Sequence, residues 1–167
     1  NKLALQLEKP PRAEACVVPA QPEDLAASTD VQARQKSHKL MAQLLAMAMA
    51  CNQTKVFNMV FSTATADLRR AGSPTAYHQA THEEQVDRAK GYQPTVDEFS
   101  TQSMQGWADF VTAMAAIKEG DGTLLDNMLV LAHSEVSYAK NHDVNGIPVM
   151  LAGRAGGKVR SGIHIAS

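Results

Sequence analysis

The stretch GDGTLLDNMLVLAHSEVSYAKNHDVNGIPVMLAG, residues 120–153, decides the expected fold. Within it Met128 to Ala132 and Ile147 to Ala152 are nearly continuous apolar runs, the pattern of strands buried on both faces. A polar loop carrying His133, Ser134, Glu135, His142 and Asp143 lies between them. Working outward, Thr95 and Glu98 have capping-box spacing, and Phe99, Ser103, Trp107, Phe110, Met114 and Ile117 share one face. With Gly120 as a stop, this predicts a helix from about Val96 to Glu119. Further upstream, Leu40, Leu44 and Ala48, flanked by Met41, Leu45, Met49 and Cys51, predict a helix from about Val31 to Asn52. Lys55 to Phe61, with Val56, Phe57, Val60 and Phe61, then reads as a strand. Helices running into buried strands predict an α/β fold with a mostly parallel sheet flanked by helices, Met128 to Ala132 lying parallel to Lys55 to Phe61.

Residues 1–30 read as an irregular connector, because Pro10, Pro11, Pro19 and Pro22 remove backbone donors. Residues 31–167 then form the C-terminal part of one α/β domain. Ser62 to Gln93 reads as a long loop with a short helix near His82 to Lys90. Three strands apolar on both faces need neighbours and cover, so the expected partner is a missing N-terminal half or another protein chain.

The 16 basic and 17 acidic residues are spread along the chain, which argues against nucleic acid as a partner. The longest apolar stretch, Leu40 to Cys51, is too short to cross a bilayer, so no membrane insertion is expected. Since the chain opens on Asn1, any targeting peptide is expected outside it. Cys16 and Cys51 leave one disulfide or two free thiols open.

Familiar catalytic signatures fail. A P-loop ending at Lys158 would need glycine where Ala152 stands and a hydroxyl where Val159 stands. No G-x-G-x-x-G, C-x-x-C or G-x-S-x-G is present. What survives is a set of metal-ligating side chains on loops: His78 and His82 four apart, then Glu135 and His142 between the last two strands. Imidazole with carboxylate suits zinc or another divalent metal, and helical spacing puts His78 and His82 on one face. Exposed loop histidines and an ordinary His142-Asp143 turn are the structural alternative.

Residues 120–165, with Leu40 to Phe61 and the intervening YHQATH at 77–82, resemble the secreted family called domain of unknown function 1552, and the opening LALQLEKPP resembles its middle region. That family is similar to the alkaline phosphatase and sulfatase superfamily. The resemblance implies an alkaline-phosphatase-like sheet, export to the periplasm or outside the cell, and metal ligands on loops at one sheet edge. In such hydrolases an Asp-His pair follows a strand like Met128 to Ala132, with a further His in the next loop. The matching positions here are Glu135 and Val136, with His142 as the later histidine. Val136 in place of the paired histidine, and a nucleophile that would come from an N-terminal half, imply an incomplete catalytic set.

The expected function is therefore a secreted accessory or structural protein acting through protein contacts. The competing expectation is a metal-dependent hydrolase of phosphate or sulfate esters, using His78, His82, Glu135 and His142. A carbohydrate-binding reading rests only on Trp107, Tyr77, Tyr92 and Tyr138.

Overall fold

The computed structural model describes residues 15–17 and 20–165, so Leu3, Leu5, Leu7 and the first prolines of the connector lie outside the described residues. The chain runs α1 (Val31–Ala50), α2 (Tyr77–Glu83), α3 (Pro94–Ala115), β1 (Lys118–Glu119), β2 (Gly122–Thr123), α4 (Leu124–Asn127), β3 (Leu129–His133), a 3-10 turn (Ala139–Asn141) and β4 (Val149–Gly153).

Helix α1 starts where Asp30 Oδ1 accepts the amides of Gln32 and Ala33, at 2.8 and 3.0 Å, satisfying two donors that the first turn leaves free. Its buried stripe is Val31, His38, Ala42 and Ala46 rather than the expected Leu40, Leu44 and Ala48, and Leu44 is exposed. Small side chains win that face because α1 packs closely on α3. At the crossing, a Cβ on Gly106 of α3 would stand 3.3 Å from the ring of His38 on α1, and 2.8 Å from the ring of Phe61 in the segment that follows α1. Ala42 and Ala46 then join Phe110, Met114, Leu124, Met128 and Val130 in the main core. A smaller core holds Val31, Ala66, Leu68 and Phe99. Each large apolar side chain removed from water in this way stabilises the fold by about 1.5–3 kcal/mol.

Helix α3 buries Phe99, Gly106, Phe110 and Met114 and begins with Pro94, whose missing N–H costs nothing at a first turn. The expected Thr95–Glu98 capping box does not form. Glu84 instead accepts the amides of Thr95 and Val96 at 3.0 and 3.2 Å, while Glu98 pairs with Arg70 at 2.8 Å. The helix stops at Ala115, short of Glu119, because Lys118 and Glu119 pair with Gly122 and Thr123 around Gly120, whose φ is +58°. The short helix expected at 82–90 lies earlier, at Tyr77–Glu83. Asp87 closes the following turn by accepting the amides of Ala89 and Lys90.

The mostly parallel, alkaline-phosphatase-like sheet is not what forms. The described residues hold two small two-stranded sheets, β1–β2 and β3–β4, both antiparallel. Residues 134–148 turn the chain back on itself, so β4 pairs directly with β3, Leu131 opposite Leu151. Lys55 to Phe61 has bends at both ends and joins no ladder. Phe57 and Met59 pack on the main core and Phe61 on the smaller one, whereas Val56 and Val60 face solvent. Its alternation is spent on helices instead of on a strand partner.

Cys16 and Cys51 form a disulfide that ties the chain before α1 to the residue after it. No described helix is long and apolar enough to cross a membrane.

Candidate functional site

Helix α2 sets His78 and His82 one turn apart, with ring centroids 4.8 Å from each other. The helix is short, and its C-terminal end is held by a buried side chain. Gln93 Nε2 lies within hydrogen-bonding distance of the carbonyls of Ala80, Thr81 and Glu84 and donates toward them, the Ala80 carbonyl also accepting the Glu84 amide. The loop after β3 comes to this helix. Its 3-10 turn presents the Lys140 carbonyl to His82 Nδ1 at 3.1 Å and brings His142 Nε2 to 3.2 Å from His82 Nε2. On the other side, His78 Nδ1 meets the Ala64 carbonyl at 3.0 Å.

These contacts set which nitrogen of two rings donates. A carbonyl only accepts, so Nδ1 of His78 and of His82 carries the proton, and in the neutral ring Nε2 keeps a free lone pair. His142 is held in a left-handed conformation, φ 53° and ψ 36°, where its amide bonds to the Ala139 carbonyl. The loop is closed further by the Ser137 amide on the Asp143 carbonyl at 2.8 Å.

Of the four expected ligands, His78, His82 and His142 come together. Glu135 is exposed and shares no hydrogen bond or ion pair with them. Asp143 is committed to its own loop, accepting from the amide and side chain of Asn145. The route by which the rings meet differs from the expected one. Antiparallel return of the chain into β4 folds residues 134–148 against α2, with no shared edge of a parallel sheet involved. Among the described residues, no three His, Cys, Asp or Glu side chains already stand in position to hold a metal ion, and the His78 and His142 centroids are 6.3 Å apart. The Ala64 and Lys140 carbonyls left no trace in the sequence, because every residue carries that group.

A second feature is the outer face of β3–β4. The register places Leu129, Leu131 and His133 of β3 with Gly153, Leu151 and Val149 of β4 on one side. Leu131, Val149 and Leu151 are each 57% exposed and Leu129 is 46% exposed, whereas Val130 on the opposite side is buried in the core. No side chain of Asp, Glu, Lys or Arg interrupts either strand.

Of the aromatic residues, Tyr92 and Tyr138 are exposed, whereas Trp107 and Tyr77 are packed inward. Trp107 stacks on Phe110 at 5.8 Å and Tyr77 lies against Phe99 at 4.8 Å, both as core contacts. Surface clefts among the described residues include two with polar linings. One is lined by Arg70, Ser73, Glu83 and Glu84, and the other by Asp121, Asp126, Asn127 and Arg154; none of the three clustered histidines lines either. No family model, curated protein or solved structure matches the chain.

Proposed function

We propose that this chain is an accessory or structural protein of the periplasm or cell exterior, acting through a protein contact at the outer face of β3–β4. The observation that carries this reading is the row Leu129, Leu131, Val149 and Leu151, apolar and open to solvent on the side away from the core. A contiguous apolar patch on a sheet face is a usual mark of a protein interface. The occupant is a partner protein presenting an uncharged apolar surface, because a charge pressed onto four aliphatic side chains would be desolvated without a counterpart. The Cys16–Cys51 disulfide supports an oxidising compartment, as does the resemblance to a secreted family.

The test is a Leu131→Lys, Leu151→Lys double variant, at positions directly opposite in the register. The parent is expected to bind an apolar fluorescent dye and the variant to lose that binding while keeping the parent's circular dichroism. Unfolding of the variant would mean that this face is packed within the chain itself, and unchanged dye binding would mean that it offers no interface. Concentration-dependent self-association abolished in the variant would replace the partner with a second copy.

A second reading, hydrolysis of phosphate or sulfate esters, has the three-histidine cluster in its favour. Against it, no Ser, Thr or Cys side chain among the described residues hydrogen-bonds to any of the three rings. Turnover of a chromogenic phosphate or sulfate monoester, lost in His82→Ala, would establish it.

A further inference from the structure

We propose that His78, His82 and His142 form a zinc-binding site that joins α2 to the loop between β3 and β4. This goes beyond the interface reading and rests on different residues. Three observations carry it.

The first is the approach of His82 and His142, with Nε2 atoms 3.2 Å apart. Two nitrogens bound to one tetrahedral zinc at 2.0–2.1 Å stand roughly 3.3 Å from each other, so this pair already has the separation of ligands on a common ion. The second is the tethering of Nδ1. His78 donates to the Ala64 carbonyl and His82 to the Lys140 carbonyl, which fixes both rings in the tautomer that leaves Nε2 free. Zinc-bound imidazoles are held in this way, with the distal N–H on a carbonyl or carboxylate. The third is ring placement. Three imidazoles on one tetrahedral zinc have centroids roughly 5 Å apart. The His78–His82 and His82–His142 pairs lie at 4.8 and 4.9 Å, and the His78–His142 pair at 6.3 Å. Completing the set therefore requires the outer pair to close by roughly 1 Å, within reach of side-chain rotation.

The donor chemistry selects the metal class. Both cysteines are bonded to each other, so no thiolate competes, and imidazole nitrogen favours zinc and its transition-metal neighbours over calcium or magnesium. Three neutral ligands leave a fourth position for water. His142 is exposed and gives the ion a path in.

The bland reading of the same contact is a single hydrogen bond, His142 Nε2–H donating to His82 Nε2. The experiment separates the two. Chelator-treated protein, with its disulfide intact, is titrated with zinc and followed by long-range proton–nitrogen correlation of the imidazoles. One equivalent of zinc should move the Nε2 resonances of His78, His82 and His142 and leave Nδ1 protonated on His78 and His82. His38, His133 and His164 should stay in place. His82→Ala and His142→Ala should each weaken zinc uptake by at least about 100-fold, since even outer-shell losses reach that range. His133→Ala should bind as the parent does. No shift at tens of micromolar zinc overturns the proposal, as does uptake that survives both alanine variants or shifts confined to other histidines. Because the resonance shifts are read on the parent, the outcome stands even if an alanine variant fails to fold.

Discussion

His38 of α1 meets Phe61 edge-on, with ring centroids 5.1 Å apart, at the point on α3 where Gly106 has no side chain. An added Cβ would stand 2.8 Å from Phe61 and 3.3 Å from His38. The seat of the Phe61 ring against α3, beside His38 of α1, therefore depends on a missing methyl group.

Gly106→Ala should destabilise the fold by about 1 kcal/mol. Overpacking costs about 1–3 kcal/mol, and the better helix propensity of alanine returns about 1 kcal/mol of that. Urea denaturation measures the difference. In a Phe61→Leu background, where the clashing ring atoms are gone, the same change should be neutral or stabilising; equal costs in both backgrounds would disprove the clash.

His38 makes stability depend on pH. Burial lowers its pKa, against the opposing effects of a hydrogen bond with the Gly106 backbone and the charge of Asp109, while Arg34 adds to the lowering. The unfolded chain thus binds this proton at higher pH than the folded one. The contribution is fully present above about 6.5 and is lost as pH falls through the lowered folded value. Denaturant midpoints between pH 7.5 and 5 should fall more in the parent than in His38→Asn. Superimposable profiles would exclude a role for this ring.

Glu84→Ala should cost about 1 kcal/mol, the usual worth of a side chain closing a helix N-terminus. Burial pushes the Glu84 carboxyl up, but hydrogen bonds from Thr95 and Val96, helped by the Arg70 charge, hold it below the usual carboxylate range. The contribution is accordingly present above that range and disappears as pH falls through the lowered value. Hydrogen exchange should quicken at the Thr95 and Val96 amides. Unchanged exchange there would show that water replaces the carboxylate without loss.

Cys16→Ser with Cys51→Ser should lower stability by about 3–4 kcal/mol, the loop-closure entropy of cysteines 35 residues apart. Residues 20–29, which run between the disulfide and α1, are exposed, so little packing is expected to compensate. A reductant should shift the parent's urea midpoint to that of the double variant and leave the variant unmoved.

The sequence by itself determined the two long helices, because a 3.6-residue period over twenty positions is a local signal that survives in many surroundings. It also marked His78, His82 and His142, whose side chains announce their chemistry wherever they lie. Tertiary structure decided the rest. Lys55 to Phe61 has a strand's composition, yet strand identity requires a partner, and its neighbours are helices. The apolar runs in β3 and β4 suggested parallel neighbours, but the direction of pairing is set by how residues 134–148 return the chain, which no hydropathy pattern encodes. The face that α1 buries turned on volume, Ala42 and Ala46 over Leu44, because close helix packing rewards small side chains over apolar ones. The meeting of His82 with His142 likewise depends on backbone carbonyls at Lys140 and Ala139, groups that every residue carries and that only the folded chain places.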